Sequence, residues 1–428
     1  MKGPDGPTLV VVFHPHSVPP MEIAEAARGW CRLLWVFDCG DPQLAPLLPL
    51  MRRLGDVVDT AGCSDDEVAA RVGQRHPDGV ITFSELIPLA AAIAAESGLR
   101  YHQPHTAELV TNKYLQRVAL AAAGVPGPRF WAVPAPMDPG ERARLAEELP
   151  LPVVLKPQSG SGSQNTHRVC DLQTLLDLLE EGRSAGEDLV IEEELAESRP
   201  RAAQRFGETL MVDSVVRGGR AAHYAVTGHF IPAEPFRGTG SFIPSHLDDG
   251  ERAAVLEATE AALAALGVEN GFTNTDIILT PDGPRVLEVN GRIGGQIPKL
   301  LGMGGAPPLL PEAMRFSLGQ SEGAVPPAPD EHVAFCAMYQ APVGAQRLVE
   351  LDGVDAVAQM PDITGVVPDR RVGDVIDWRR GTLSRLLTVY GLARDHDHLY
   401  DLYREIHTSI VARYDMAEET VRAGTALA

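Results

Sequence analysis

Lysine is almost absent from this chain: Lys2, Lys113, Lys156 and Lys299 are the only four, and arginine supplies the other basic side chains. An excess of positive charge is lacking too. Lys and Arg total 37 against 58 Asp and Glu, a formal charge of -21 that phosphate backbones and anionic lipid surfaces repel, so nucleic acid and membrane are excluded as partners. The five cysteines, Cys31, Cys39, Cys63, Cys170 and Cys336, never stand as CxxC, which excludes a disulfide framework and a zinc site and fits a reducing cytoplasm. Long apolar runs are missing. Thr8 to Phe13 is too short for a signal segment or a membrane span and reads as a buried first strand. No GxGxxG follows that strand and no GxxxxGK[ST] occurs, so a nucleotide site must be built by other means than a dinucleotide fingerprint or a P-loop.

What is present is a globular composition, 428 residues at 44% hydrophobic, enough for two to four domains. Apolar runs at Leu9–Phe13, Leu33–Phe37 and Gly79–Phe83 alternate with helix-like Met21–Cys31 and Glu85–Glu96. This alternation predicts a parallel α/β unit over residues 1–105. A helix carrying Asn112, Lys113 and Arg117 follows and stops at Gly124-Val-Pro-Gly-Pro128. Strand-like Leu151–Lys156 then runs into Ser159-Gly160-Ser161-Gly162-Ser163, a loop whose backbone N–H groups could close around phosphate oxygens. Alone, such a loop is more often only a connection. The two scarce lysines beside it add to the signal, because an ammonium approaches phosphate as a single point charge.

Leu189–Leu195 reads as a strand that turns acidic at Glu192-Glu193-Glu194, suited to a hinge whose backbone pairs with an adenine edge, and Glu208 could hold a ribose hydroxyl. Two strands are expected around the turn Arg217-Gly-Gly-Arg220. A hairpin is expected from Phe272–Leu279 and Arg285–Arg292 about a Pro-Asp-Gly turn. With Thr280 facing Pro284, its register sets Asp276 opposite Glu288 and Asn274 opposite Asn290 on one face. Carboxylates directly across a sheet repel unless a hard cation lies between them, and Asp276, Glu288 and Asn290 offer the oxygen donors that suit magnesium with nucleotide phosphates. The plain alternative is a solvated sheet face. From about His332, strand-like Val333–Gln340 and helix-like His398–Tyr414 suggest an α+β lobe, joined through the proline-rich stretch from Val325 to Pro329. The histidine pairs His14/His16 and His396/His398 lack companions that would complete a metal set.

In order, Asn-Lys113, Leu-Lys156-Pro, Ser-Gly-Ser-Gly-Ser163, Glu192-Glu-Glu-Leu195, Asn-Thr-Asp276 and Glu288-Val-Asn290-Gly-Arg292 resemble the ATP-grasp superfamily. Within it the chain is similar to bacterial L-amino-acid (dipeptide) ligases of peptide antibiotic biosynthesis, including Thr82-Phe-Ser-Glu85; the similarity is strongest from Lys113 to Gly295. The resemblance implies an ATP-grasp fold of mixed α/β and α+β class: residues 1–105 as an N-terminal parallel α/β domain, 106–325 as the ATP-grasp domain with a lid at about 128–195, and 330–428 as a C-terminal α+β lobe. It implies a cytoplasmic, ADP-forming acid–amino-acid ligase that makes an amide through an acyl phosphate, using ATP and two magnesium ions, with manganese as the substitute. Lys113, Lys156 and the loop Ser159, Gly160, Ser161, Gly162, Ser163 would hold phosphates; Glu192, Glu193, Glu194 and Leu195 the adenine; Glu208 the ribose; Asp276, Glu288 and Asn290 the metal. Arg292, with Lys156, would act on the acyl phosphate, and Glu85, His229, Gly294 and Gly295 would face the amino-acid and amine substrates. A homodimer fits the same pattern. The alternatives are a ligase joining an amino acid to a non-peptide acid or amine, and an ATP-binding protein without turnover. The sequence departs from the pattern at Asn112, where an acidic residue is common, at Thr227-Gly-His229, where a lysine is common, and in the long stretch Glu197–Gly207.

Overall fold

The computed structural model describes residues 6–15, 18–133, 138–326 and 331–417. At the N-terminal end β1 (Thr8–Val12), β2 (Arg32–Phe37), β3 (Asp56–Asp59) and β4 (Gly79–Thr82) form a parallel sheet in the order β3-β2-β1-β4. Helices cover it, so β1, β2 and β4 are apolar almost throughout and legible as runs. Strand β3 is Asp-Val-Val-Asp at the sheet edge with Val58 its one buried residue, so no apolar run announces it. After β4 the Thr82 hydroxyl donates to Val12 O at 2.8 Å and lies 2.8 Å from the Ser84 hydroxyl. These bonds shape the turn that carries Glu85 beyond the carboxyl ends of the strands, where ligand sites of open parallel sheets lie.

The second sheet is antiparallel, with β5 (Phe130–Val133), β6 (Val153–Pro157), β7 (His167–Val169) and β8 (Leu189–Glu193) in the order β5-β8-β6-β7. It has a core of its own, in which Val153, Leu155 and Ile191 pack against Leu175 and Leu179 of the helix Leu172–Ala185. This unit occupies the span expected for a lid.

The third sheet unites the rest. Strands β9 (Thr209–Arg217), β10 (Arg220–His229), β11 (Gly240–Ile243), β12 (Asn270–Thr280), β13 (Gly283–Asn290) and β14 (Val333–Tyr339) belong to it. Next come β15 (Ala345–Asp352), β16 (Ile363–Pro368), β17 (Leu387–Ala393) and β18 (Val411–Met416). The eight-stranded order is β13-β12-β9-β10-β11-β14-β17-β16, while β15 and β18 pair separately. The C-terminal α+β lobe is therefore built on the central sheet through β14 and β17 and does not stand apart from it. Its helix runs from His396 to Ser409, shorter than the expected His398–Tyr414 at the C-terminal end, because residues 411–416 pair with β15 as β18.

One face of β9, β12 and β13 is sealed: Leu210, Val212, Ile277 and Val289 pack with Val255, Ala262 and Leu263 of the helix Asp249–Ala265. The period of two then sends Asp213, Asn274, Asp276 and Glu288 to the opposite face. Among the described residues no helix is long and apolar enough to cross a membrane.

Candidate active site

The expected hairpin forms, with a tighter turn. Thr280 pairs with Gly283, not Pro284, and the register shifts by one between Asp276 and Ile277. Leu287 is the extra residue of this bulge, and beyond it Asp276 stands opposite Glu288 and Asn274 opposite Asn290, the pairs that the longer turn had predicted. On the other side of β12, Asn274 faces Asp213 and Asp276 faces Met211, so two adjacent rungs run Asp213–Asn274–Asn290 and Met211–Asp276–Glu288.

Strand β13 is a sheet edge, and its outer backbone groups need partners. The helix Lys113–Ala122 supplies them. Gln116 Nε2 donates to Val289 O at 2.9 Å while its Oε1 accepts from Val289 N at 2.8 Å, in the manner of another strand. Arg117 donates to Val286 O at 3.0 Å and to Leu287 O, the carbonyls exposed by the bulge. Asn112 caps the helix, its Oδ1 accepting from Leu115 N at 2.9 Å, while its Nδ2 donates to Gln158 Oε1 at 3.1 Å. Docked in this way, the first turn of the helix brings Lys113 Nζ to 3.0 Å from Glu288 Oε1 and into a hydrogen bond with Gly160 O.

The carboxylate pair fits a hard divalent cation. Burial first, and the facing Glu288 second, push Asp276 up to about 7, and Lys113 stands beside Glu288 as a substitute counter-charge. Among the described residues no group of three or more acidic, histidine or cysteine side chains is placed to hold a metal ion by itself. Two carboxylates and the Asn290 amide oxygen leave coordination positions for phosphate and water, as a magnesium–nucleotide site requires.

Lys156, at the end of β6, lies 2.8 Å from Glu192 Oε2, and Arg117 Nε donates to Glu192 Oε1 at 2.8 Å. Burial would raise the Glu192 pKa, but the two cations outweigh it and hold the group at about 2. Burial lowers the pKa of Lys156, with Glu192 opposing. Glu192, expected at the adenine, has its side chain between two cations and its backbone in the ladder, opposite Phe130 and Val154. Glu193 is likewise engaged, its amide bonded to Arg129 O at 2.9 Å and its carboxylate to Arg129. No backbone hydrogen bond among the described residues uses Glu194 or Leu195, just past β8.

Glu208, expected at the ribose, is engaged elsewhere. It is buried and accepts from the Ser198 hydroxyl and from Arg199 at 3.3 Å, so it fastens the long stretch 197–207 and does not present an acceptor to a ribose. Loop Ser159–Ser163 is not free-standing: Gly162 O accepts from Thr382 N at 2.8 Å, and Asn165 N donates to Arg379 O at 3.0 Å. His229 ends β10 with Nδ1 3.3 Å from the Thr209 hydroxyl, and burial pushes its pKa down to about 4, leaving it neutral.

Arg292 donates to Glu85 Oε1 through Nε at 2.9 Å and Nη2 at 2.7 Å, joining the N-terminal unit to the end of β13. Gly294, expected to face the substrates, has its amide already engaged, donating to Asp213 Oδ1 at 3.0 Å. Gly295 is exposed, and a side chain there would meet nothing within 4 Å. Sequence reasoning missed Asp213 and Gln116. Asp213 sits in the run Leu-Met-Val-Asp-Ser-Val-Val, where a lone carboxylate among apolar residues was the available signal.

Residues 110–296 match the family model described as ATP-grasp domain. The uncharacterized protein y4rH of Sinorhizobium fredii is 28% identical over 291 residues, 64% of this chain and 56% of that protein. The chain thus spans little more than half the length of that relative. The L-arginine-specific L-amino acid ligase of Bacillus subtilis is 22% identical over 320 residues, 71% of this chain and 72% of that one. Among solved structures, the L-amino acid ligase from Bacillus licheniformis superposes with a TM-score of 0.73 at 19% identity, covering 96% of this chain and 99% of that one. Topology and matched span agree: residues 110–296 carry an ATP-grasp domain, and the fold is the ATP-grasp fold.

Proposed function

We propose that the protein is an ADP-forming carboxylate–amine ligase that joins an amino-acid carboxylate to an amine, in secondary metabolism. The observation that carries this reading is the carboxylate pair Asp276–Glu288, with Lys113 bonded to Glu288, Lys156 near enough to feel the charge of Glu288, and Arg292 near enough to act on Asp276. Such a set can receive a nucleoside triphosphate and hold a second anion beside its terminal phosphate. Asp276, Glu288 and Asn290 would hold magnesium, which when bound neutralises charge on the phosphoryl oxygens. Lys113 leaves Glu288 and turns to the phosphates, and Lys156 holds them from the lid side. The backbones of Glu194 and Leu195 take the adenine edge, and the loop Ser159–Ser163 covers the phosphates and keeps water from the acyl phosphate. Arg292, oriented by Glu85, stabilises the oxyanion as the amine attacks. The names of the Bacillus ligases support amino acids as substrates.

The test is incubation with magnesium and ATP over pools of amino acids and amines, following nucleotides by chromatography and condensed products by mass spectrometry. ADP, phosphate and an amide mass, all lost in Glu288→Ala, are expected. AMP and pyrophosphate would refute the acyl-phosphate route, and tight ATP binding without any product would favour a protein that does not turn over.

A further inference from the structure

The turn after β13 carries both Arg292 and Gly295, so whatever fixes this turn aims the groups that would meet the acyl centre. It is tied at three points. His102 Nε2 lies 2.9 Å from Gly291 O, Glu85 receives the Arg292 guanidinium, and Asp213 Oδ1 receives the Gly294 amide at 3.0 Å. The first two ties come from the N-terminal segment. The third comes from β9, the strand flanking the metal-binding hairpin, where Asp213 faces Asn274.

The turn lies directly upon that rung. A Cβ on Gly294 would stand 3.0 Å from Asp213 Oδ1, 2.9 Å from Asn274 Nδ2 and 2.7 Å from a side-chain carbon of Ile297. Any larger residue would lift the backbone away from the sheet. Asp213 is fully buried, and the polar groups that face its carboxyl are the Gly294 amide and the side chain of Asn274 across the rung. Burying a carboxyl group in an otherwise apolar strand costs stability even with these partners, so packing alone would favour an apolar residue there. Sites that accept such a cost do so where geometry matters more than stability.

We propose that Asp213 is a positioning residue: by accepting the Gly294 amide it holds the Arg292–Gly295 turn against the sheet, aiming the Arg292 guanidinium and the Gly295 backbone at the acyl centre. The catalytic part of this inference rests on the ligase reading above; the tie itself does not. Asp213→Asn retains an oxygen that can accept the same N–H, and Asp213→Ala removes it.

Three measurements on the full chain decide it: hydrogen exchange of a peptide spanning residues 291–297, the magnesium–ATP dissociation constant, and kinetics on the amide-forming pair from the pool assay. In Asp213→Ala, exchange in 291–297 is expected to quicken by about tenfold or more, with magnesium–ATP affinity held within about twofold. A misaimed turn should lower kcat by roughly tenfold to a hundredfold at unchanged KM for ATP. Asp213→Asn should recover most of both. Unchanged exchange in Asp213→Ala, a loss that falls on ATP affinity, or an Asn variant as impaired as the Ala variant would each overturn the proposal. Should Asp213→Ala not fold, Asp213→Ser, whose hydroxyl falls short of the Gly294 amide, is read by the same criteria. If wild type makes no product, the ligase reading fails by itself, and the exchange arm still decides whether Asp213 holds the turn.

Discussion

At the scale of single residues, two carboxyl groups on one rung make the site sensitive to protons. Burial and Glu288 raise Asp276 from an ordinary 3.8 to about 7, so between those values the folded chain binds more protons than the unfolded one. The stability contributed by the neutral carboxyl is present below the unfolded pKa and is lost as the pH rises through about 7. A divalent cation must displace that proton. Magnesium–nucleotide binding should therefore weaken as pH falls below about 7, with release of about one proton at pH ~6 and little at pH ~8. Titration calorimetry in buffers of different ionisation enthalpy measures this, and Asp276→Asn should abolish the pH dependence along with most of the binding. Glu192 shows the opposite case, a buried acid kept charged by Arg117 and Lys156. Arg117→Met strands one carboxylate oxygen and two bulge carbonyls, and should cost about 3–5 kcal/mol in denaturant unfolding. Arg129→Met, which breaks the exposed pair with Glu193, should cost under about 1 kcal/mol.

At the scale of elements, the unit of β5 to β8 is held from two directions. The helix Lys113–Ala122 reaches β8 through Arg117, and the loop Ser159–Ser163 rests on the segment Trp378–Ser384. Gly381 makes the second contact possible: its φ of 62° lies in the left-handed region, and a Cβ there would stand 2.1 Å from Gly162 O. Gly381→Ala should push the loop off. The expected outcome is a severalfold higher KM for ATP and a larger share of ATP hydrolysed without amide formation, since a loosened cover admits water. Equal ratios of phosphate to amide in variant and wild type would show that this contact does not govern closure. The hairpin teaches a different lesson. Its Pro-Asp-Gly turn was legible, but the bulge at Leu287 was not, because the carbonyls it exposes are satisfied by Arg117, 169 and 170 residues away along the chain.

At the scale of the whole molecule, the candidate site is a meeting of four segments: the Glu85 turn, the helix from Lys113, the strands β6 and β8, and the β9–β12–β13 face. A ligand that binds across them stabilises the native state by mass action. Magnesium–ATP at a hundred times its dissociation constant should add about 2.7 kcal/mol, seen as a rise in melting temperature that chelation or Glu288→Ala removes. The sequence by itself determined most of the elements and which residues share a face. Apolar runs marked three of the four parallel strands, period-two alternation put Asp276 and Asn274 on one face, and scarcity singled out Lys113 and Lys156. Each of these depends on neighbours a few residues away, where backbone geometry is local. Only the tertiary structure decided which groups are already engaged. It assigned Glu192 to Arg117 across 75 residues, the Gly294 amide to Asp213 across 81, and Arg292 to Glu85 across 207. A buried donor or acceptor takes whichever partner packing brings within about 3 Å, and packing follows from the whole chain, not from the residues beside it.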